Sequence, residues 1–458
     1  MLDVPEEEYQ YWEEHREKMP WGELSKLHLD KGKWTLKRLY DLCKPIRAKY
    51  DAAGLTPDDV QTLDDFKKVP FMEKTDFLDA YPDKLLCVPM DDVVRMHCTS
   101  GTSGKRPTTG FYTANDLDAW TTLIARNLRA VGISKHDVFQ NTTASGLFTG
   151  GYGYTQGATR VGCCVIPFGG GMTEKQIQFF QDFKVTAIHA IPSFALHIIE
   201  VCEQLGIDPK NDLWLKKAVL GAEGWSEATR TRVQEGSNMK AYDNYGLTEA
   251  IGPGVSIECI EQNGMHIWSD YFYPEVIDPE TGENVGEEEY GELVLTSMFK
   301  EAVPIFRYRT GDITRLYKSE CPCGRTGYMM ERIVGRRDDM KVIKGVNLYP
   351  SMIEEEIYKR SDLTDAYLII YHTVGVMDQV DVQVEARSGV NKEMIKDDLE
   401  KVLREATMLG IHVNVFEDGT LPRTEGKQVR YKDLRDVPDG YKGWTREIGE
   451  RLKQLKGM

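Results

Sequence analysis

No stretch of this 458-residue sequence approaches the roughly 18 consecutive apolar residues that a membrane-crossing helix needs. Positive charge is in short supply, since 57 Lys and Arg stand against 73 Asp and Glu for a net charge of −16. That balance argues against a general nucleic-acid or anionic-membrane surface, while leaving room for a local basic pocket. Internal repeats and low-complexity tracts are absent, so neither a solenoid nor a long linker is expected. The first residues, MLDVPEEEYQYWEEHREK, lack the basic-then-apolar order of a signal peptide. The nine cysteines are odd in number and scattered, as reduced thiols are rather than a disulfide framework. A cytoplasmic protein is the expectation.

What is present is ordinary for a globular chain, with 41% hydrophobic and 28% charged residues. The length exceeds what one core supports, so two or more domains are expected. Residues 1 to about 90 carry charged helical patterning. From Arg160 onward strand and helix alternate. VGCCVIPF and VTAIHAIP read as strands, and Thr173 with Gln176 reads as a capping box opening the helix between them. Phe194, Ile198, Val201, Cys202 and Leu205 share a helical face that Gly206 ends. LKKAVLGAEG and KAYDNYGLTE supply further strands around the helical SEATRTRVQE. The fold class is therefore α/β, a large N-terminal domain with a mostly parallel, helix-covered sheet. Ligands in such sheets gather beyond the C-terminal strand ends, where GAEG and YGLTE lie.

A second regime begins near Gly335. The charged GRRDDMK reads as a hinge, Ser351 and Glu354 as another S-x-x-E cap, and Val380, Val382 and Val384 as an alternating strand. A long helix follows from Lys392 towards Met408. The expected division is a large domain over 1–335, a hinge over 336–340 and a small α+β domain over 341–458.

The most informative segment is CTSGTSGKRP, Cys98 to Pro107. Thr99, Ser100, Gly101, Thr102, Ser103, Gly104 and Lys105 offer many backbone N–H groups, several hydroxyls and one cation. Such a loop can wrap a polyphosphate as an anion nest. It is not a Walker loop, because the Gly-Gly-Lys spacing is wrong and Arg106 stands where Ser or Thr should follow.

In order, the chain then shows GAEG at 221–224, YGLTE at 245–249, YRTGD at 308–312, GRRDD at 335–339 and RTEGKQVR at 423–430. This set resembles the adenylate-forming superfamily of acyl-CoA synthetases along nearly the whole chain. GLFTGG at 146–151, CPCGRTG at 321–327 and GVNLYP at 345–350 are similar to phenylacetate-CoA ligases in particular. The resemblance implies a β subdomain beside the main sheet and a mobile C-terminal domain. It implies ligation of an aryl carboxylic acid to coenzyme A through an acyl-adenylate, with ATP and Mg2+. The first step joins two anions, so it needs charge neutralisation and positioning more than covalent catalysis.

Residue by residue, the resemblance makes 99–105 the phosphate-holding loop, Glu249 the magnesium ligand and Thr248 the hydroxyl at the α-phosphate. Gly221, Ala222, Glu223, Tyr245 and Gly246 would line the adenine, while Asp312, Arg309 and Arg336 would meet ribose and phosphates. Lys427, within PRTEGKQVR, would reach the carboxylate and the α-phosphate. Asp338 would be the hinge, and Gly345 would line the channel for the coenzyme A thiol. Ser145, Gly146, Phe148, Tyr152 and Pro192 would enclose the acyl group. Ser145 stands where the family carries an aromatic residue, which favours a bulkier or ring-hydroxylated arylacetate.

Cys259 and His266 with Cys321 and Cys323 make a Cys3His set that could hold a structural, tetrahedral zinc; plain reduced thiols are the other reading. Two alternatives stand beside the main function. One is adenylyl transfer without coenzyme A to a deazaflavin-type substrate; the other is a non-catalytic nucleotide-binding regulator. A small-molecule acid is the expected partner, with neither nucleic acid nor membrane, in a homodimer of the kind usual for such enzymes.

Overall fold

The computed structural model describes residues 11–99, 106–318, 321–337, 339–374, 377–421, 430–435, 437, 440–445 and 448. Packing divides the chain into two units. The first comprises Met1–Ala190, Lys210–Ala222 and Asn238–Ile333. The second comprises Ile191–Pro209, Glu223–Ser237 and Val334–Met458.

In the first unit, β1 (Arg95–Cys98) and β2 (Thr109–Tyr112) form an antiparallel pair on either side of the Ser/Gly-rich segment. The main sheet has nine strands. They are β3 (Val138–Asn141), β4 (Cys164–Ile166), β5 (Ala187–Ala190), β6 (Lys217–Gly221), β7 (Lys240–Leu247), β8 (Gly252–Glu258) and β9 (Met265–Ile267), with β13 and β14 below. Strands β4, β3, β5, β6 and β7 run parallel in that spatial order. From β7 the sheet continues antiparallel through β8 and β9. Strand β5 is buried along its whole length, and β6 along all but its first residue. That is why both read as short apolar runs instead of alternating patterns.

Strands β10 (Phe272–Ile277), β11 (Gly291–Ser297) and β12 (Tyr308–Thr314) form a separate antiparallel sheet. Strands β13 (Leu316–Tyr317) and β14 (Met329–Met330) return to the main sheet beside β9. The helix Ala114–Ala130 opens with a true capping box, in which Thr113 and Asp116 exchange side-chain bonds to each other's N–H. The helix Thr149–Val161 packs on it closely. A Cβ at Gly153 would stand 2.7 Å from the Trp120 ring, and one at Gly157 2.2 Å from Ile124. The glycines of the GLFTGGYGYTQG segment thus let two helices approach.

In the second unit, β15 (Gly335–Arg336) is followed by a hairpin of β16 (Lys341–Ile343) and β17 (Val346–Leu348). Its sheet is built from β18 (Leu363–Val374), β19 (Met377–Ala386), β20 (His412–Glu417) and β21 (Tyr431–Asp433). The central pair is antiparallel and both flanking strands are parallel to their neighbours. The helix Lys392–Thr407 is capped by Asn391 and buries Ile395, Leu399, Leu403 and Thr407, one residue per turn.

Two expected caps are not formed. The helix Thr173–Asp182 begins after Met172, which is left-handed, and Gln176 spends its amide on the carbonyls of Gly169 and Gly171. In the helix Pro350–Tyr358 the proline takes the first turn and Tyr349 the cap position. Ser351 bonds to the Val334 carbonyl instead, and Glu354 accepts from the Tyr367 hydroxyl. Both helices form as expected, by other means.

Candidate active site

The parallel strands β3, β5, β6 and β7 end at Asn141, Ala190, Gly221 and Leu247. Beyond β7 the chain turns through Thr248 to Ile251 and re-enters as β8. This turn carries two of the expected chemical groups, Thr248 and Glu249, both buried. The Thr108 hydroxyl, just before β2, donates to Glu249 Oε1 at 2.9 Å and lies 3.1 Å from Thr99 Oγ1. The Thr108 N–H donates to Thr99 Oγ1 at 3.0 Å. One carboxylate and two hydroxyls, all hard oxygen donors, therefore meet where the Ser/Gly-rich segment begins. That donor set fits a magnesium ion. Ser100 to Lys105 lie outside the described residues.

The Tyr245 hydroxyl donates to Asp312 Oδ2 at 2.6 Å, joining the YGLTE and YRTGD motifs. Gly246 lies against the start of β8, where a Cβ would meet the Gly252 carbonyl at 2.1 Å. Gly221 closes β6, and Ala222 follows with φ of 72°. A left-handed alanine carries roughly 1–3 kcal/mol of backbone strain, the kind that surroundings hold in place at functional turns. Arg309 lies on β12, three residues before Asp312. Its guanidinium binds Glu292 and the Pro279 carbonyl, the latter at 2.7 Å. Glu292 also accepts the Gly311 N–H at 3.0 Å, so this buried carboxylate shapes the YRTGD stretch of β12 from β11.

Of the expected acyl-pocket residues in the first unit, Ser145, Gly146, Phe148 and Tyr152 are all exposed, and the Arg95 guanidinium lies 5.0 Å from the Tyr152 ring centroid. Behind them, His189 at the end of β5 stacks on Tyr154 with centroids 3.8 Å apart. Its Nδ1 lies 3.0 Å from Asn141 Oδ1 and 3.3 Å from the Thr143 hydroxyl. Burial pushes the His189 pKa down to about 3, so the ring is neutral.

In the second unit, Glu223 accepts the Ser193 N–H at 2.7 Å, at the start of the helix Pro192–Gln204 that Pro192 opens. Gly345 sits at the tip of the β16–β17 hairpin with φ of 81°, next to Lys344 at 51°. Two successive positive φ values make the tight turn that suits a two-residue hairpin, and glycine adopts one without strain. Arg336 lies half-buried on β15. Arg430 closes the RTEGKQVR motif, with its guanidinium 4.6 Å from the Tyr367 ring centroid and a bond to the Asp365 carbonyl at 3.1 Å. Lys427 and Asp338 lie outside the described residues.

Cys259, His266, Cys321 and Cys323 converge in the first unit, all buried, with every ligand atom within 4.8 Å of the others. Cys259 Sγ and Cys321 Sγ are 3.6 Å apart, and Cys323 Sγ and His266 Nε2 are 3.4 Å apart. A tetrahedron with Zn–S bonds of about 2.3 Å has edges of about 3.8 Å, so the cage is already near zinc size. The neighbouring Cys259 and Cys321 thiols, with His266, hold the Cys323 thiol well below the usual thiol range. The antiparallel pairing of β9 with β14, which sets His266 opposite Met329, brings the distant halves together.

Thr108 and Glu292 escape a reading of the sequence. Thr108 lies one residue beyond the motif-like CTSGTSGKRP, and Glu292 is a single acid in a strand; only their partners mark them.

Comparison with known proteins identifies the family. The sequence pattern of the AMP-binding enzymes matches residues 43–299, and that of the AMP-binding enzyme C-terminal domain matches 345–435. Fold and site thus define an adenylate-forming enzyme. The chain is 43% identical over 423 residues to the phenylacetate-coenzyme A ligase of Escherichia coli K12, covering 91% of this chain and 96% of that one. It is 42% identical over 415 residues to that of Pseudomonas putida, covering 89% and 93%. The crystal structure of a 2-hydroxyisobutyryl-CoA ligase with 2-HIB-AMP superposes with a TM-score of 0.89 at 27% identity, over 98% of this chain and 96% of that one. The protein belongs to the phenylacetate-CoA ligase family of adenylate-forming enzymes. No described helix is long and apolar enough to cross a membrane.

Proposed function

We propose that this chain joins an arylacetic acid to coenzyme A in two half-reactions, through an acyl-adenylate, releasing pyrophosphate and AMP. The meeting of Thr99, Thr108 and Glu249 beside the Tyr245–Asp312 pair carries this reading. It supplies acceptors for a hard cation and a fixed aromatic face beside a carboxylate, which is what the phosphates and the nucleoside of ATP require. Support also comes from a solved relative, which has been captured both with 2-HIB-AMP and with 2-HIB-AMP plus CoA in a thioesterification state.

In the first half-reaction a substrate carboxylate oxygen attacks the α-phosphorus and pyrophosphate leaves. The chain orients the two anions and screens their charge. Ser100 to Lys105 hold the departing phosphates, Thr248 donates to the α-phosphate, and Lys427 bridges the carboxylate and the α-phosphate. Glu249 would hold magnesium, which would supply positive charge against the phosphates. Asp312 accepts from the ribose hydroxyls, with Arg336 near the phosphates and Gly221, Ala222, Glu223 and Gly246 along the adenine. In the second half-reaction the small domain swings about Asp338, withdraws Lys427 and brings Gly345 to the thiol channel. The buried Cys3His cage would hold a structural zinc, which no step of adenylation needs.

By the family resemblance Ser145 replaces an aromatic residue of the acyl segment, and its smaller, hydroxylated side chain favours an aryl ring with extra bulk or a hydroxyl. The deciding experiment assays a panel of aryl and aliphatic acids for acyl-CoA formation with ATP and magnesium. Highest turnover with an arylacetate supports the reading. Pyrophosphate release that never yields a thioester points to transfer without coenzyme A, and nucleotide binding with no release at all points to a regulator.

A further inference from the structure

Lys300 lies in SMFKEA, after β11, where no motif draws attention to it. Lysine is almost never fully buried without a partner, yet the Lys300 side chain has no solvent exposure. Its Nζ donates to the main-chain carbonyl of Glu249 at 3.3 Å and stands 5.0 Å from the Tyr112 ring centroid. Tyr112 in turn donates its hydroxyl to the Ile251 carbonyl at 2.9 Å. One cation and the aromatic ring beneath it therefore grip two carbonyls of the short turn that carries Thr248 and Glu249.

The grip is anchored from behind. Asp116, in the first turn of the helix Ala114–Ala130, accepts the N–H groups of Glu301 and Ala302 at 2.7 and 3.0 Å. The Glu301 carboxylate accepts from Thr113 at 2.8 Å and Asn115 at 3.0 Å. The residues after Lys300 are thus pinned to a capped helix start. Among the described residues no carboxylate lies in ion-pair contact with Lys300, so neutralising a buried acid does not account for its place. Burial lowers the Lys300 pKa to about 8, with Asp116 and Glu249 opposing that shift.

We propose that Lys300 is a positioning residue for the adenylation half-reaction. It holds the main chain of the 248–251 turn so that the Thr248 hydroxyl and the Glu249 carboxylate face the triphosphate. It also sets a buried positive charge behind that turn, where a polyanion must arrive in a site of low dielectric. This inference rests on the reading of Glu249 as a phosphate-side residue and extends it to a group that never touches substrate.

The test compares Lys300→Met and Glu249→Gln in the full chain. Methionine is close to lysine in length and suits the apolar surroundings. Each variant is assayed for acid-dependent ATP–pyrophosphate exchange across a magnesium titration, and for thioester formation from a supplied acyl-adenylate. For Lys300→Met, exchange falls roughly ten- to a hundredfold, the loss expected for one hydrogen bond from a charged donor. Its magnesium half-saturation rises, while the thioester step and the melting temperature hold. Unchanged exchange, or an equal loss in both half-reactions, overturns the proposal. If Glu249→Gln shifts the magnesium requirement and Lys300→Met does not, Lys300 alone is misread. If neither shifts it, the reading of Glu249 fails first. Should Lys300→Met not fold, Tyr112→Phe removes only the hydroxyl on Ile251; a raised magnesium half-saturation supports the grip, and an unchanged one overturns it.

Discussion

The Tyr245 hydroxyl and Asp312 Oδ2 stand 2.6 Å apart, joining two motifs through residues 67 positions apart in the sequence. The tyrosine comes from the end of β7 in the main sheet and the aspartate from β12 in the neighbouring antiparallel sheet. The bond fixes the edge of the ring and orients the buried carboxylate; under the proposed function these are the aromatic face and the ribose acceptor of the ATP site.

Tyr245→Phe keeps the ring and removes that bond. ATP affinity should fall by about 1.5 kcal/mol, roughly tenfold, because the acceptor is charged. Calorimetric titration with a non-hydrolysable ATP analogue measures it. Unaltered affinity would mean that the pair is structural only.

Lys427→Ala separates the half-reactions. Acid-dependent pyrophosphate release should drop by about 100- to 1,000-fold, the scale of losing one electrostatic donor at a transition state. Thioester formation from a supplied acyl-adenylate should continue. Equal losses in both steps would give the lysine a different task.

The Cys3His cage makes a compositional prediction. Purified protein should contain about one zinc per chain, and Cys323→Ser should lose it. Thermal stability should drop in that variant before ATP affinity changes, since metal binding and folding are coupled. Metal analysis beside a melting curve decides; metal-free protein with an unchanged melt leaves ordinary thiols.

Ser145 makes a specificity prediction. A bulkier or ring-hydroxylated arylacetate should have a higher kcat/KM than phenylacetate, because it refills the space or bonds the hydroxyl. Ser145→Tyr should reverse the order by about 1–3 kcal/mol. Competition between the two acids reads it out. If phenylacetate wins with both proteins, Ser145 does not line the pocket.

Acid should weaken the first unit through His28. Its Nε2 sits 2.6 Å from the Ser269 carbonyl, and burial pushes its pKa down to about 4 from 6.5. Below pH ~6.5 the unfolded chain takes up a proton that the folded ring refuses. Stability is therefore full above that pH and falls as pH drops towards 4. The slope from this residue approaches about 1.4 kcal/mol per pH unit. His28→Gln can still donate to Ser269 and does not titrate. Denaturant unfolding between these pH values should show its slope reduced by up to one proton, and an identical slope would remove His28 from the account.

Elements with strong local signals are legible in the sequence. The buried runs of β5 and β6 and the one-residue-per-turn stripe of Lys392–Thr407 follow from which faces meet the core, whereas β19 alternates apolar and polar residues although both of its faces are buried from Val380 to Ala386. The helix starts near Thr173 and Ser351 form without the side-chain caps their sequences suggest. A side chain able to cap can be drawn elsewhere by a better partner, as Gln176 and Glu354 are. Only three-dimensional packing decides that competition.

The class of chemistry is legible in short local patterns. A run of glycines and hydroxyls, a carboxylate after Tyr-Gly-Leu-Thr and a Cys-x-Cys pair can each be read from neighbouring residues alone. The tertiary structure alone decided which groups cooperate. Thr108 beside Glu249, Glu292 against the YRTGD stretch of β12, Cys259 within reach of Cys321, and Lys300 under the main chain of Glu249 are contacts between distant strands and loops. No local pattern encodes such pairs. A hydrogen bond depends on distance in space, and distance in space is set by sheet order and strand register.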